Sequence, residues 1–322
     1  MGEIRTLAVS EAEDGMRLDR WLRRRWPHLG QAHIHKLARG GQLRVDGGRV
    51  KAETRLAAGA QVRVPPLPDA PPREAGERLS AADRAFARGL VLYEDDVVLA
   101  LNKPAGLAVQ GGTKTSRHID RLLGVWGEGA ARPRLIHRLD RDTSGVLVLG
   151  KSAAAAARLA AAFAARRAEK TYWAIVAGVP RSAEGTIELP LAKSGAQDFE
   201  RVEPADARDP KAKVAVTRFA TLSRAGGRAA LLALRPLTGR THQLRAHMLA
   251  LGHPILGDPK YHTPTSIDAS GPLKLQLHAR RLTLPHPGGG TIDVQAPPSP
   301  EMAAGFARFG FDIRDGDADP FA

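Results

Sequence analysis

Apolar residues recur along this chain at two different spacings, and the change of spacing divides it. Near the start they follow a helical period. Leu18, Trp21 and Leu22 share one face of a segment from Met16 to Trp26, which Pro27 stops. Ile34 and Leu37 mark the inner face of a second short helix from Gln31 to Arg39, closed by the turn at Gly40-Gly41. Leu43-Arg44-Val45-Asp46-Gly47 and Val62-Arg63-Val64 then alternate as short strands do. Beyond Leu90 the texture becomes apolar strands separated by turns, at Gly89 to Glu94, Val97 to Leu101, Val146 to Gly150, Tyr172 to Val176 and Ala229 to Leu234. One helix interrupts them, the alanine-rich run from Ser152 to Ala168, with Ser152 as its cap. Many strands with few helices predict an α+β domain on a large mixed or antiparallel sheet.

The pattern gives a small N-terminal domain over 14–65, a linker over 66–88, a large domain over 89–313 and a flexible tail over 314–322. Proline opens the linker (Pro66-Leu67-Pro68, then Pro71-Pro72), which makes it semi-rigid, and the tail is acidic and glycine-containing. A chain of 322 residues with 43% hydrophobic content can bury a core in each domain. No apolar run approaches the ~20 residues that span a bilayer, and Met1-Gly2-Glu3-Ile4-Arg5 leads into polar sequence without a signal core. The expectation is a cytoplasmic chain with no membrane partner. It contains no cysteine, so disulfides, thiolate nucleophiles and cysteine-held zinc are excluded.

Charge changes the picture. The net charge is +14, and residues 14–65 hold twelve Lys or Arg against four Asp or Glu. Excess charge concentrated in so short a stretch points to a phosphate-binding patch, not to a generally basic composition. Arg20, Arg23, Arg24, Lys36 and Arg39 would occupy the helical faces left to solvent.

Three polar clusters of the large domain carry candidate chemistry. The first is His137-Arg138-Leu139-Asp140-Arg141-Asp142-Thr143-Ser144-Gly145, a charged loop entering the apolar Val146-Leu147-Val148-Leu149. A rigid strand fixes such a loop while leaving it open to substrate. The second is Glu169-Lys170-Thr171-Tyr172-Trp173, an aromatic residue entering a strand. The third, Leu237-Thr238-Gly239-Arg240-Thr241-His242-Gln243-Leu244-Arg245-Ala246-His247, is a turn followed by helical spacing, and it continues to Gly252-His253-Pro254-Ile255-Leu256-Gly257-Asp258. A buried carboxylate needs a cation to stay ionised, and Arg245 or Arg240 could supply it.

In this order and separation the clusters resemble the RluA family of RNA pseudouridine synthases, as do Asn102-Lys103-Pro104-Ala105-Gly106 and Leu277-His278-Ala279. The likeness spans about 89–297. The N-terminal segments resemble the small RNA-binding domain of ribosomal protein S-four, through Arg17-Leu18-Asp19-Arg20-Trp21-Leu22, Ile34-His35-Lys36-Leu37-Ala38-Arg39-Gly40-Gly41 and Leu43-Arg44-Val45-Asp46-Gly47. The combination is most similar to the large-subunit ribosomal members, and Val109-Gln110-Gly111-Gly112 leans to the RluC-type branch, which usually has His where this chain has Gln110.

The resemblance implies a pseudouridine synthase fold with a large mixed, mainly antiparallel sheet, and a cofactor-free, metal-free isomerisation of uridines in 23S ribosomal RNA or a large-subunit assembly intermediate. No nucleotide cofactor is implied, and a monomer is the default. Asp140 would start cleavage of the glycosidic bond, either attacking the anomeric carbon or taking the proton of the neighbouring ribose carbon to give a glycal. Tyr172 would stack on the base and could remove the last proton. Arg245 would pair with Asp140, keeping it charged and oriented. Arg138 would enter the RNA helix where the uridine leaves. Arg20, Arg24, Lys36, Arg39 and Arg44 would contact RNA.

Plainer roles suit the other residues. Asp142 reads as a turn-forming or ion-pairing residue and His137 as a hydrogen-bonding support. His242, His247 and His253 are spaced by five and six, without the spacing that sets two imidazoles on one helical face, so they read as structural. Arg166, Arg167 and Lys170 fit an RNA surface or a solvated helix end equally well. The rival readings are a non-catalytic RNA-binding assembly factor on the same fold, and a glycosidase, which would need a second acid across the scissile bond.

Overall fold

The computed structural model describes residues 4–26, 29–67, 79–111, 117–194, 201–316 and 319–321. It divides into two units, residues 1–78 and 79–322. Among the described residues no helix is long and apolar enough to cross a membrane.

The first unit contains β1 (Arg5–Ala8), α1 (Leu18–Arg25), α2 (Gln31–Arg39), β2 (Arg44–Val45), β3 (Gly48–Arg49) and β4 (Gln61–Val64), with its strands ordered β1-β4-β2-β3. Its core is the predicted one: Leu18, Trp21, Leu22, Ile34, Leu37, Leu43, Val62 and Val64 are all buried. Burying these apolar faces leaves Arg20, Arg23, Arg24, Lys36 and Arg39 exposed on α1 and α2, with Arg44 half-buried. The predicted start at residue 14 is too late, because β1 pairs antiparallel with β4 and closes the sheet. Pro27, expected to end the first helix, lies outside the described residues.

The second unit begins earlier than predicted. Residues 79–88, assigned to the linker, lead into and form most of α3 (Ala81–Gly89), capped by the Ser80 side chain, which accepts the Asp83 N–H. Two stacked cations hold that helix in place: Arg117 over Phe86 at 4.1 Å and Arg88 over Trp126 at 4.7 Å. The rest of the linker, 68–78, lies outside the described residues.

After α3 come β5 (Val91–Glu94), β6 (Val98–Lys103), α4 (Ile119–Leu122), β7 (Arg134–Leu135), β8 (Ser144–Gly150), α5 (Ala153–Ala164), β9 (Glu169–Ala177), β10 (Glu184–Glu188) and the hairpin β11 (Leu191–Ser194) and β12 (Arg201–Pro204). Then follow β13 (Val216–Ala225), β14 (Ala229–Pro236), α6 (Gln243–Ala250), α7 (Pro264–Ser270), β15 (Leu277–Pro285), β16 (Thr291–Gln295) and α8 (Pro300–Phe309). Ten strands form one sheet, ordered β10-β13-β14-β9-β15-β8-β6-β5, with β16 beside β15 and β7 beside β8. Only the β8–β15 pair is parallel among them, so the sheet is mixed and mainly antiparallel, as expected.

All seven residues of β8 are buried, which explains its unbroken apolar run: both of its faces are covered. Val146 and Val148 pack with Leu159 of α5, while Leu147 and Leu149 pack with Ile119 and Leu139 on the opposite face. The predicted Ser152–Ala168 helix ends sooner, at Ala164, and Arg166 turns the chain in a left-handed conformation (φ 57°). The tail is docked where it is described. Asp319 accepts a 2.7 Å hydrogen bond from Arg235, and Phe321 is buried with Arg235 and Arg218 over its ring. The expectation of a flexible tail is therefore corrected for 319–321.

One contact fixes the register around the loop at 137–143. Ala279 of β15 lies between Gly145 of β8, its parallel partner, and Tyr172 of β9, its antiparallel partner. Gly145 has φ +109°, and a Cβ there would lie 2.2 Å from the Ala279 carbonyl oxygen. Only glycine allows both the conformation and the approach. Gly145→Ala should therefore lower stability by roughly 2–4 kcal/mol. Gly239→Ala, where an added Cβ meets nothing, should change it by less than about 0.5 kcal/mol. Denaturant midpoints check the pair, and equal shifts would overturn the steric account.

Candidate active site

The loop after β7 is tied down at three points. His137 Nε2 accepts the Val148 N–H at 2.9 Å, and the ring stacks on Phe163 with centroids 4.8 Å apart. Burial first, and Lys170 second, pull its pKa down to about 3, so the imidazole is a neutral acceptor. The second tie is Lys103, at the end of β6 and fully buried. Its ammonium donates to the carbonyls of Pro104 (2.9 Å), Leu107 (2.8 Å) and Arg141 (2.8 Å), one acceptor for each N–H. Burial draws its pKa down to about 7, against the pull of Asp142 and Asp140. The third tie is the Thr143 N–H, which donates to the Asp140 carbonyl at 3.2 Å. Between these ties the loop packs Leu139 into the core and leaves the Asp140 side chain partly exposed.

Arg138, two residues earlier, is exposed. Arg141 donates to the Gly106 carbonyl at 3.1 Å. Asp142 faces Arg141 at 4.0 Å, in keeping with an ion-pairing residue.

Opposite the loop, the turn before α6 is held by Gln243. Its amide oxygen accepts from Thr238 Oγ1 (2.7 Å) and the Arg240 N–H (3.0 Å), while its nitrogen donates to the Val216 carbonyl and Thr217 Oγ1. Arg240 points outward, donating from Nε to the Val214 carbonyl at 3.0 Å. Of the two candidate cations, Arg245 is the one beside Asp140, with Nη1 3.8 Å from Oδ2.

Arg245 is bound more closely elsewhere. Its Nε and Nη2 each donate to a different oxygen of Asp258 at 2.6 Å, a two-pronged pair with both side chains buried. Burial works against the guanidinium's charge, but the bonds and charge of Asp258, then the charge of Asp140, outweigh it and leave the pKa above its ordinary value. Asp258 Oδ1 also accepts the N–H groups of Lys260 and Tyr261. Asp258 and Lys103 are the residues that sequence reasoning left without roles. Each stands in a motif of the sequence, but only the fold joins Lys103 to the Arg141 carbonyl and Asp258 to Arg245.

Tyr172 projects from β9 between the two clusters that also pack α6 and α4. Its hydroxyl pKa is raised well above the ordinary value, first by burial and then by the charge of Asp140. Asp140, Tyr172 and Arg245 are thus brought together from three separate elements. The histidines serve as hydrogen-bonding groups: His247 contacts Thr217 Oγ1 at 3.0 Å, His253 the Ala177 carbonyl at 2.9 Å and His278 the Ser144 hydroxyl at 2.8 Å. Among the described residues no three His, Cys, Asp or Glu side chains are grouped so as to hold a metal ion.

A carboxylate at the mouth of a sheet, an aromatic ring beside it and a guanidinium facing one of its oxygens suit chemistry on a sugar bearing a flat base. Known proteins agree. A family profile described as RNA pseudouridylate synthase matches residues 97–250. Ribosomal large subunit pseudouridine synthase C of Salmonella typhimurium is 35% identical over 300 residues, covering 91% of this chain and 93% of the relative. The protein of that name from Yersinia pestis is 36% identical over 298 residues, covering 91% and 92%. Human RNA Pseudouridylate Synthase Domain Containing 4 superposes with a TM-score of 0.60 at 28% identity, covering 72% of this chain and 98% of that one. With a family match over 97–250 and relatives at 35–36% identity over nine-tenths of its length, the chain belongs to the RNA pseudouridylate synthase family.

Proposed function

We propose that this protein converts specific uridines of 23S ribosomal RNA to pseudouridine, on free RNA or a large-subunit assembly intermediate, with Asp140 as the catalytic carboxylate. The observation that carries this is Asp140 on its tied loop, with Arg245 3.8 Å from Oδ2 and Tyr172 close enough to feel its charge. The names of the relatives support the choice of the large-subunit RNA.

The reaction breaks the bond from base nitrogen to ribose, turns the base and rejoins it through carbon five. One hydrogen leaves that carbon and one is gained by the freed nitrogen, so the formula is unchanged and nothing is oxidised. Asp140 acts at the sugar, as nucleophile on the anomeric carbon or as base toward the neighbouring ribose hydrogen. Tyr172 forms the wall on which the base stacks. Its raised pKa disfavours a resting phenolate, so the stacking role is favoured over the role of final base. Arg138, exposed on the loop, enters the RNA where the uridine leaves its stack, a step costing a few kcal/mol. Arg20, Arg24, Lys36, Arg39 and Arg44 hold phosphates.

Pseudouridine mapping in 23S RNA from a strain lacking the protein tests this reading. Specific sites should be lost in the deletion, return with the wild-type chain and stay absent with Asp140→Asn. Persistence of every site in the deletion would overturn the ribosomal substrate, and restoration by Asp140→Asn would overturn the role of that residue.

Asp258→Asn should leave Arg245 buried against a neutral partner, costing about 3–5 kcal/mol of stability and lowering turnover with it. Thermal melts and single-turnover rates read both. A variant as stable as wild type would show that the Asp258 pair does not hold Arg245 in place. Replacing Arg20, Arg24, Lys36 and Arg39 together by Gln should weaken binding to every RNA sequence alike. It should also flatten the slope of log K against log salt by about 0.7–0.9 per lost phosphate contact. An unchanged slope would remove these residues from the interface.

A further inference from the structure

Among the described residues His242 is the histidine paired with Asp140, and three observations give it a defined state. Its backbone is left-handed (φ 51°) at the start of α6, a conformation that is uncommon and costly for a residue other than glycine. Its Nδ1 lies 3.1 Å from the Tyr261 hydroxyl, and its Nε2 lies 3.9 Å from Asp140 Oδ2. Tyr261 is buried, and its hydroxyl oxygen already accepts the Val202 N–H at 2.8 Å.

We infer that His242 is a positioning residue for the isomerisation: Tyr261 locks its tautomer so that an Nε2–H faces Oδ2 of Asp140, leaving Oδ1 as the reacting oxygen. This rests on the reading of Asp140 given above. The logic follows the hydrogens. With its oxygen taking the Val202 N–H, the Tyr261 hydroxyl has its own hydrogen to place, and Nδ1 of His242 is the acceptor the structure offers among the described residues. An Nδ1 that accepts carries no proton, so in the neutral ring the proton is on Nε2.

That nitrogen and Arg245 Nη1, at 3.9 and 3.8 Å, both face Oδ2. A side-chain movement of roughly 1 Å brings Oδ2 to hydrogen-bond distance of either. The neutral ring is favoured by its surroundings. Burial lowers the His242 pKa most, Arg245 and Lys260 act in the same sense, and Asp140 and Asp258 oppose them. The imidazole and the Tyr261 ring also meet edge to face at 81°, with centroids 5.5 Å apart, which holds the ring plane.

With two donors facing Oδ2 at 3.8 and 3.9 Å, the carboxylate has its other oxygen left for the ribose. Tyr261 also links His242 to β12 through the Val202 N–H. The αL backbone at His242 is the conformational cost that aims the imidazole inward.

The test compares wild type with His242→Leu, His242→Gln, Tyr261→Phe and Asp140→Asn, all full-length, on a large-subunit RNA fragment labelled with tritium at uridine carbon five. Tritium release gives the rate and filter binding gives Kd. His242→Leu should lower kcat on the order of 10²-fold with Kd within about twofold, because the residue acts on the carboxylate and not on RNA affinity. His242→Gln, whose amide N–H reaches toward Oδ2, should recover about tenfold of that loss. Tyr261→Phe, which keeps the ring but frees the tautomer, should fall between Gln and wild type. The inference is overturned if His242→Leu turns over within about threefold of wild type while Asp140→Asn is inactive, or if Gln is no better than Leu. An active Asp140→Asn would instead overturn the role of Asp140 itself, so the two failures are separable. Tyr261→Phe, which leaves His242 in place, keeps the tautomer lock testable if His242→Leu fails to fold.

Discussion

The parallel pairing of β8 with β15 is the constraint from which the site follows. Strands in a sheet are spaced about 4.8 Å apart, so a residue on a middle strand sets the separation of its two neighbours. Ala279 is that residue, with Gly145 on one side and Tyr172 on the other. The aromatic wall and the root of the Asp140 loop are therefore about two strand spacings apart, room for a flat ring and a sugar. A side chain at 145 would push the strands apart at the Ala279 carbonyl. The Thr-Ser-Gly ending of the loop is thus part of the sheet as much as of the loop. Ser144 reinforces it through its hydroxyl contact with His278, the residue beside Ala279.

Much of this was legible in the sequence, and the limits have physical causes. The core of the first unit could be read because its apolar residues recur at local helical and strand spacings. Strand β1 could not, since its partner β4 lies more than fifty residues away in the chain and nothing local marks it. Helix α3 was hidden behind the proline-rich stretch that precedes it. It is held by Arg117 and Arg88 stacked on Phe86 and Trp126, contacts that no periodicity records. Phe321 looked like part of a frayed end because its burial depends on Arg235 and Arg218, distant in sequence.

In the candidate site, the structure brings Asp140, Tyr172 and Arg245 near one another, and each stands in a distinctive motif of the sequence. Asp258 ends a motif without an evident role in the sequence, because its pairing with Arg245, thirteen residues away, is made by the chain's path after α6. Lys103 is harder still to foresee. Three backbone carbonyls from two loops converge on its ammonium, and backbone acceptors leave no trace in side-chain pattern. The structure also settles the choice between Arg240 and Arg245, since Arg240 is committed to the Val214 carbonyl.

The division of Arg245 between two carboxylates bears on reactivity. Its close partner is Asp258 at 2.6 Å, while Asp140 stands at 3.8 Å. A carboxylate held in a tight, two-pronged pair has its lone pairs occupied and its charge neutralised, which suits a structural residue and blunts a nucleophile or base. Tying the guanidinium to a second, fully buried acid fixes its position without using up the first. Coulomb energy falls only as the inverse of distance, so at 3.8 Å most of the attraction at Asp140 survives while the geometry of a saturated ion pair is avoided. The buried pair is weak evidence for stability in itself, because desolvating both partners offsets much of their attraction. Its value lies in where it leaves the third guanidinium nitrogen, facing one oxygen of a carboxylate whose other oxygen is left for the sugar.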